Sequence, residues 1–217
     1  MAKNKLRNIS EIAAFPNVFQ LRKDLKASWN EEVFHNSNPI TLELACGKGD
    51  YSLALAKKFP HRNFIGIDIK GARMWRGAKT ALGENIPNVA FLRTYIDHIE
   101  EYFSEGETEE IWITFPDPQH GSGGDRKRLT SEKFLPRYKK ILKPGGIIHL
   151  KTDDMFLYQF TLEKISECKG VVIISTADLY SENFVDEILG VKTFYEQRHL
   201  ALGKKIKYVK FSFGPAS

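Results

Sequence analysis

The sequence predicts a doubly wound α/β fold, a mostly parallel sheet that ends in a C-terminal antiparallel strand. Apolar strand-like runs alternate with helix-like segments from Ile40 onward, and glycines cluster immediately after the first of those runs. The final strand-like run follows its helix too closely for a helical crossover, so it must turn back antiparallel.

The elements justify themselves in order. Ile40 to Leu44 reads as a strand, Tyr51 to Phe59 as a helix, and Asn63 to Asp68 as a second strand. A helix over Ala72 to Leu82 leads to the strand Val89 to Leu92, a short helix through Ile99, and the strand Ile111 to Phe115. Ser131 is expected to cap a helix reaching Leu142, and Lys143-Pro144-Gly145-Gly146 to stop it before the strand Ile147 to Leu150. A helix from Met155 to Cys168 and a strand from Val171 to Ser175 follow. Thr193-Phe194-Tyr195-Glu196 has the spacing of a capping box and opens a short helix, and Ile206 to Phe213 alternates as the last strand.

A length of 217 residues suits one α/β domain with an extension. Residues 1–39 mix charge and aromatics without a sustained period and read as a basic N-terminal arm with some helix; the α/β domain then covers 40–217. No apolar run approaches the roughly 20 residues of a membrane helix, and no secretory leader follows the basic opening, so the expected location is the cytoplasm. Cys46 and Cys168 have no CxxC partner and read as free thiols; the six histidines lack metal-ligand spacing, so no metal is expected. The formal charge of +5 leans towards an anionic partner. Two basic groups sharpen this: Arg126-Lys127-Arg128 with Lys133, Arg137, Lys139, Lys140 and Lys143, and Lys204, Lys205, Lys207 and Lys210. Each is either a solvated face or a surface that tracks phosphates.

In open α/β sheets ligands bind beyond the carboxyl ends of the strands. After the first strand stands Glu43-Leu44-Ala45-Cys46-Gly47-Lys48-Gly49, whose glycines allow close backbone approach to a ligand. A dinucleotide fingerprint would place a third glycine where this chain has Ser52, which weakens a pyrophosphate reading. Asp68 can accept from ribose hydroxyls, and Glu43 would repel a pyrophosphate but suits an amino group or a sulfonium. This pair points to S-adenosylmethionine. The competing reading makes Glu43 a satisfied strand-end carboxylate and Asp68 a helix cap. After the fourth strand, Phe115-Pro116-Asp117-Pro118-Gln119-His120 holds a carboxylate on a stiff turn, with His120 shaping the loop or touching phosphate.

With these motifs in this order, together with Gly66-Ile67-Asp68, Arg126-Lys127-Arg128, Thr152-Asp153 and Thr193-Phe194-Tyr195-Glu196, the chain from Ile40 onward resembles the bacterial tRNA (guanine-N7-)-methyltransferases, the TrmB family. The resemblance implies a Rossmann-like class I methyltransferase domain. Glu43, Gly47, Gly49, Asp68, Tyr95 and Asp117 would bind the donor, with Asp117 the catalytic acid residue, and Asp153, Thr193, Tyr195 and Glu196 would hold the guanine. Arg126, Lys127 and Arg128 would meet tRNA. It further implies guanine 46 of the variable loop as the target; separately, no obligate protein partner is inferred, and a monomer or homodimer is expected.

Two positions depart from the family pattern. Tyr95 stands where an aspartate near the adenine is usual, with Asp97 close by. Gly121, in a Gly121-Ser122-Gly123-Gly124 stretch that predicts a mobile loop, replaces a substrate-contacting lysine.

Guanine N7 carries a lone pair, so its methylation needs no strong general base; a carboxylate near the purine stabilises the positive charge that develops there. Asp153 or Glu196 can also accept from the guanine N1–H and exocyclic amine. For Thr193 and Glu196 a plain helix cap is the competing role, for Asp153 the cap of the next helix, and for Tyr195 a place in the core. The rival functions are an amino-group or small-molecule methyltransferase, whose Asn/Asp-Pro-Pro-aromatic turn this chain lacks, and a noncatalytic RNA-binding module on the same fold.

Overall fold

The computed structural model describes residues 2–214. The chain divides into two compact units, residues 1–104 and 105–217.

The first unit begins with α1 (Ala2–Ile12) and β1 (Val18–Gln20), followed by β2 (Ile40–Leu44), α2 (Asp50–Lys58), β3 (Asn63–Ile67), α3 (Gly71–Gly83) and β4 (Val89–Arg93). Its strands run in the order β1-β4-β3-β2, and every pairing among them is parallel. β2 and β3 are buried along their whole length, as strands covered on both faces must be, and this is why they read as continuous apolar runs. β1 is a strand that the sequence pattern does not announce; its three half-buried residues pair with Phe91, Leu92 and Arg93. The segment around it is anchored by Trp29, fully buried in a π-helical turn over Trp29–Phe34. The Trp29 indole N–H donates to the Tyr102 carbonyl at 2.8 Å, and its ring stacks on Phe103 with centroids 5.5 Å apart. α1 packs on α3, where Trp75 donates to Glu11 at 2.8 Å.

The second unit contains β5 (Thr108–Thr114), α4 (Leu135–Ile141), β6 (Leu142–Thr152), α5 (Met155–Glu167), β7 (Val171–Thr176), α6 (Phe194–Ala201) and β8 (Lys207–Ser212). Its strand order is β5-β6-β8-β7; β5 and β6 are parallel, and β8 is antiparallel to both of its neighbours. The expected class, a mostly parallel α/β sheet closed by an antiparallel C-terminal strand, is the one the chain adopts.

Two local expectations are corrected. Ser131 does not cap α4, which starts at Leu135 with Phe134 at its N-cap and Pro136 in the first turn. A helix begun at Ser131 would have put Pro136 beyond the first turn, where its missing N–H and its ring oppose the preceding turn. Nor is Lys143-Pro144-Gly145-Gly146 a spacer before β6. It lies within that strand as a bulge, since Leu142 faces Thr108 while Ile147 already faces Glu110.

Candidate active site

In the first unit the parallel strands β2, β3 and β4 deliver Ala45, Asp68 and Tyr95 near their carboxyl ends. Glu43, buried on β2, turns its Oε2 to the start of α2, where it accepts from the Ser52 backbone N–H at 2.9 Å and from the Ser52 hydroxyl. The reason is local. Ser52 is the third residue of α2, its N–H is one of the orphan donors of a helix start, and the N-cap Gly49 has no side chain to satisfy it. Glu43 does so from the neighbouring strand, and Ser52, where a dinucleotide site would want glycine, is its partner.

The connecting loop is built from left-handed residues. Ala45 has φ 57°, Gly47 φ 57° and Gly49 φ 70°. At Ala45 this conformation costs strain, which the surrounding structure holds in place beside a site. Asp68 fastens the loop: its Oδ2 accepts from Gly47 N–H at 2.9 Å and its Oδ1 from Lys70 N–H at 2.8 Å. A carboxylate offers about four lone-pair sites, so two backbone bonds leave Asp68 able to accept from a ligand's hydroxyls. Asp68 is not the cap of α3, whose N-cap is Lys70 without a side-chain cap bond. Gly49 cannot be larger, because a Cβ would stand 2.5 Å from the Phe91 ring. The buried Cys46 thiol is pushed well above its ordinary pKa by burial, with Glu43 and Asp68 adding to the shift, so it stays protonated. Tyr95 is 59% exposed and heads the 3-10 turn Ile96–Glu101, in which Asp97 occupies the first turn.

In the second unit β5 ends at Thr114, and the turn after it is strained at both ends, with Phe115 at φ 50° and Gln119 at φ 51°. Asp117 is exposed in this turn, where its Oδ1 accepts from Gln119 N–H at 3.0 Å. The loop is held from beneath by Arg128. This side chain is only 2% exposed; its Nε and Nη2 donate to the Pro118 and Gln119 carbonyls at 2.9 Å each, Nη1 pairs with Asp125, and its guanidinium lies 4.5 Å over both Phe156 and Phe160. Arg126 and Lys127 are exposed, so the charged triplet divides into two surface cations and one that braces the Asp117 loop. Lys207, expected on the second basic surface, is likewise buried and donates to the carbonyls of Asp153 and Lys205. Gly121 has open space where a side chain would go, whereas Gly124 packs so tightly on the Gln119 carbonyl that no Cβ fits.

Beyond β6, Asp154 rather than Asp153 caps α5, accepting from Leu157 N–H at 2.7 Å. Its other oxygen meets His120 Nε2 at 2.9 Å, which ties His120 to the start of α5. Asp153 is thus released from capping and pairs with Lys204, with His199 Nδ1 lying 3.2 Å away. Thr193 caps α6 by accepting from Glu196 N–H at 3.1 Å. Its hydroxyl proton remains to be donated elsewhere. Tyr195 is 41% exposed and not a core residue. Glu196 does not complete the capping box; its carboxylate is buried against Lys151 and Tyr180.

Sequence reasoning did not single out Lys151, Tyr180 or His199, and it read Ser52 only as a missing glycine and Lys204 only as part of a basic group. Lys151 had a signal, an ammonium directly after the apolar run Ile147 to Leu150 in the buried end of a strand. The others gave none, because each acts through a partner distant in sequence.

A family model described as a putative methyltransferase matches residues 37–209. The tRNA (guanine-N(7)-)-methyltransferase of Bacteroides fragilis (strain YCH46) is 49% identical over 219 residues, covering 97% of this chain and 86% of its own. That of Porphyromonas gingivalis (strain ATCC BAA-308 / W83) is 51% identical over 212 residues, covering 92% of this chain and 86% of its own. Among solved structures, the 16S rRNA methyltransferase KamB superposes with a TM-score of 0.66 at 16% identity, covering 85% of this chain and 92% of its own, a likeness of fold. On the strength of chain-length relatives that share about half of its residues, this chain belongs to the tRNA (guanine-N7-)-methyltransferase family.

Proposed function

We propose that this protein transfers a methyl group from S-adenosylmethionine to N7 of guanine in tRNA, with guanine 46 of the variable loop as its target. The observation that carries this reading is the identity of 49% across 97% of the chain with a relative of that name. The first unit fits such a donor. Asp68 retains acceptor capacity for ribose hydroxyls, Gly47 and Gly49 give backbone access, and Glu43 adds the negative potential that a cation requires. Tyr95 offers an exposed aromatic face for the adenine. When bound, the donor supplies an electrophilic methyl on a cationic sulfur.

In the second unit Asp117 is the catalytic group. Its carboxylate stabilises the positive charge that forms on the purine as N7 is alkylated, and the strained, Arg128-braced turn keeps it from relaxing away. The nucleophile is a lone pair already in place, so the chemistry requires neither a metal nor a general base. Asp153 accepts from the N1–H and amine edge that guanine presents and adenine lacks, and the Thr193 to Glu196 segment with Tyr195 holds the base. Arg126 and Lys127 supply phosphate contacts. No helix among the described residues is long and apolar enough to cross a membrane. We assign the protein to the cytoplasm, as a monomer or homodimer without an obligate protein partner.

The test is methyl transfer to bulk tRNA with base analysis of the product. The expected product is 7-methylguanine at position 46. Donor binding without transfer would favour a noncatalytic RNA-binding module, and a methylated exocyclic amine or small molecule would favour the other enzyme class.

A further inference from the structure

The guanine-side half of the protein contains an ion pair with no exposed surface on either side chain, Lys151 on β6 and Glu196 on α6. Lys151 Nζ lies 2.7 Å from Glu196 Oε1 and 2.9 Å from Oε2, and it also donates to the carbonyls of Leu189 at 3.1 Å and Val191 at 3.2 Å. An ammonium has three N–H donors, and these partners use all of them. Glu196 is held from a second side, because the Tyr180 hydroxyl donates to its Oε1 at 2.6 Å. Burial lowers the Lys151 pKa while Glu196 raises it, and burial with Glu196 raises that of Tyr180.

The place of this pair in the chain matters more than its strength. Lys151 stands two residues before Asp153, and its partners lie in the stretch 189–196 that carries Thr193. One buried ammonium therefore ties the end of β6 to the start of α6. A second tie follows farther along, where Asp153 pairs with Lys204 just beyond α6. A glutamate at this helix position ordinarily turns back to cap its own backbone; this one turns inward to Lys151.

We propose that Lys151 is a positioning residue for guanine binding. It cannot touch the base, but through Glu196 and the Leu189 and Val191 carbonyls it holds Thr193 in register with Asp153. Glu196 then serves the base by fixing the start of α6 rather than by accepting from it. This inference rests on the functional reading above and concerns the same site.

The experiment measures donor affinity by calorimetry and the tRNA dependence of methylation for the wild-type protein, Lys151→Met and Tyr180→Phe. Lys151→Met keeps the length of the side chain without its donors. It is expected to leave S-adenosylmethionine affinity within about twofold and to lower kcat/KM for tRNA by at least about tenfold through KM, as displacement of binding groups by an ångström can do. Tyr180→Phe removes one of the hydrogen bonds to Glu196 and should raise the KM for tRNA by roughly threefold. A wild-type protein that methylates no tRNA would sink the functional reading itself. With an active wild type, an unchanged KM in Lys151→Met, a loss carried by kcat alone, or donor affinity and tRNA activity falling together with thermal stability would overturn the positioning role. Should Lys151→Met fail to fold, Tyr180→Phe decides alone, and an unaltered KM refutes the proposal.

Discussion

Replacing Gly77 with alanine tests how the donor loop is supported. Gly77 lies inside α3, where alanine is the better helix former by about 1 kcal/mol, so helix propensity alone predicts a more stable protein. The structure predicts the opposite. A Cβ at Gly77 would stand 2.4 Å from the Lys48 carbonyl oxygen and 3.0 Å from the Phe91 ring, and the first of these is backbone of the loop between Gly47 and Gly49. The loop and α3 must separate by roughly an ångström to restore ordinary contact distances. Overpacking of this kind costs about 1–3 kcal/mol, which exceeds the gain in helix propensity by about 1 kcal/mol at mid-range. Thermal unfolding should therefore show Tm lowered by roughly 2–4 °C, as expected for a chain of this size. Calorimetric titration with S-adenosylmethionine should show a weakening near tenfold, because a displaced loop that must be restored on binding costs about 1.4 kcal/mol at that factor. A raised Tm with unchanged donor affinity would mean that the loop does not lean on α3, and the account of Gly47 and Gly49 would go with it.

Further outcomes follow from the same geometry. Asp117→Asn should lower kcat by roughly 100-fold or more with donor affinity nearly unchanged, since it removes a charge aimed at the transition state; full turnover in single-turnover assays would remove Asp117 from catalysis. Alanine at both Arg126 and Lys127 should reduce the slope of log affinity for tRNA against log salt by about 1.5–2, whereas Arg128→Ala should lower Tm and leave that slope unchanged, because Arg128 is buried. His149 provides a pH test. It is stacked on Trp112 at 3.8 Å, its Nδ1 shares a hydrogen bond with the Tyr208 hydroxyl at 2.7 Å, its Nε2 lies 2.9 Å from Glu110, and burial lowers its pKa from 6.5 against the opposing pull of Glu110. The unfolded chain then takes up a proton near pH 6.5 that the folded protein resists, so this contribution to stability is present above pH 6.5 and is lost as pH falls below it. Melting curves from pH 8 to pH 5 should decline more steeply for the wild type than for His149→Gln, and equal slopes would show that His149 does not govern the decline.

Where candidate site residues could be read from sequence, local chemistry was sufficient. Glu43 lies near the end of an apolar strand and Gly47, Gly49 and Asp68 follow apolar strands, so a strand end, a glycine turn and a carboxylate form a signal a few residues long. The same locality exposed Asp117 between its prolines and Thr193 at a helix start. The sequence misled where one residue type serves two environments. Arg126, Lys127 and Arg128 are chemically alike and adjacent, yet Arg128 turns under the loop onto Phe156 and Phe160, which lie on a helix about thirty residues away. Asp153 and Asp154 are equally good caps on paper, and only the start of α5 selects Asp154.

The amino-acid sequence by itself determined the alternation of strands and helices, the antiparallel return of β8, and the carboxylates at the strand ends, because hydrophobic period, glycine and proline act within a few residues of where they stand. Tertiary structure alone decided which charges face water and which are consumed inside: Lys151 with Glu196, Glu43 with Ser52, Arg128 with the carbonyls of the Asp117 loop. The physical reason is that an ionised group can be buried only when a partner compensates its lost hydration, and in each of these cases the partner belongs to a different element of the chain.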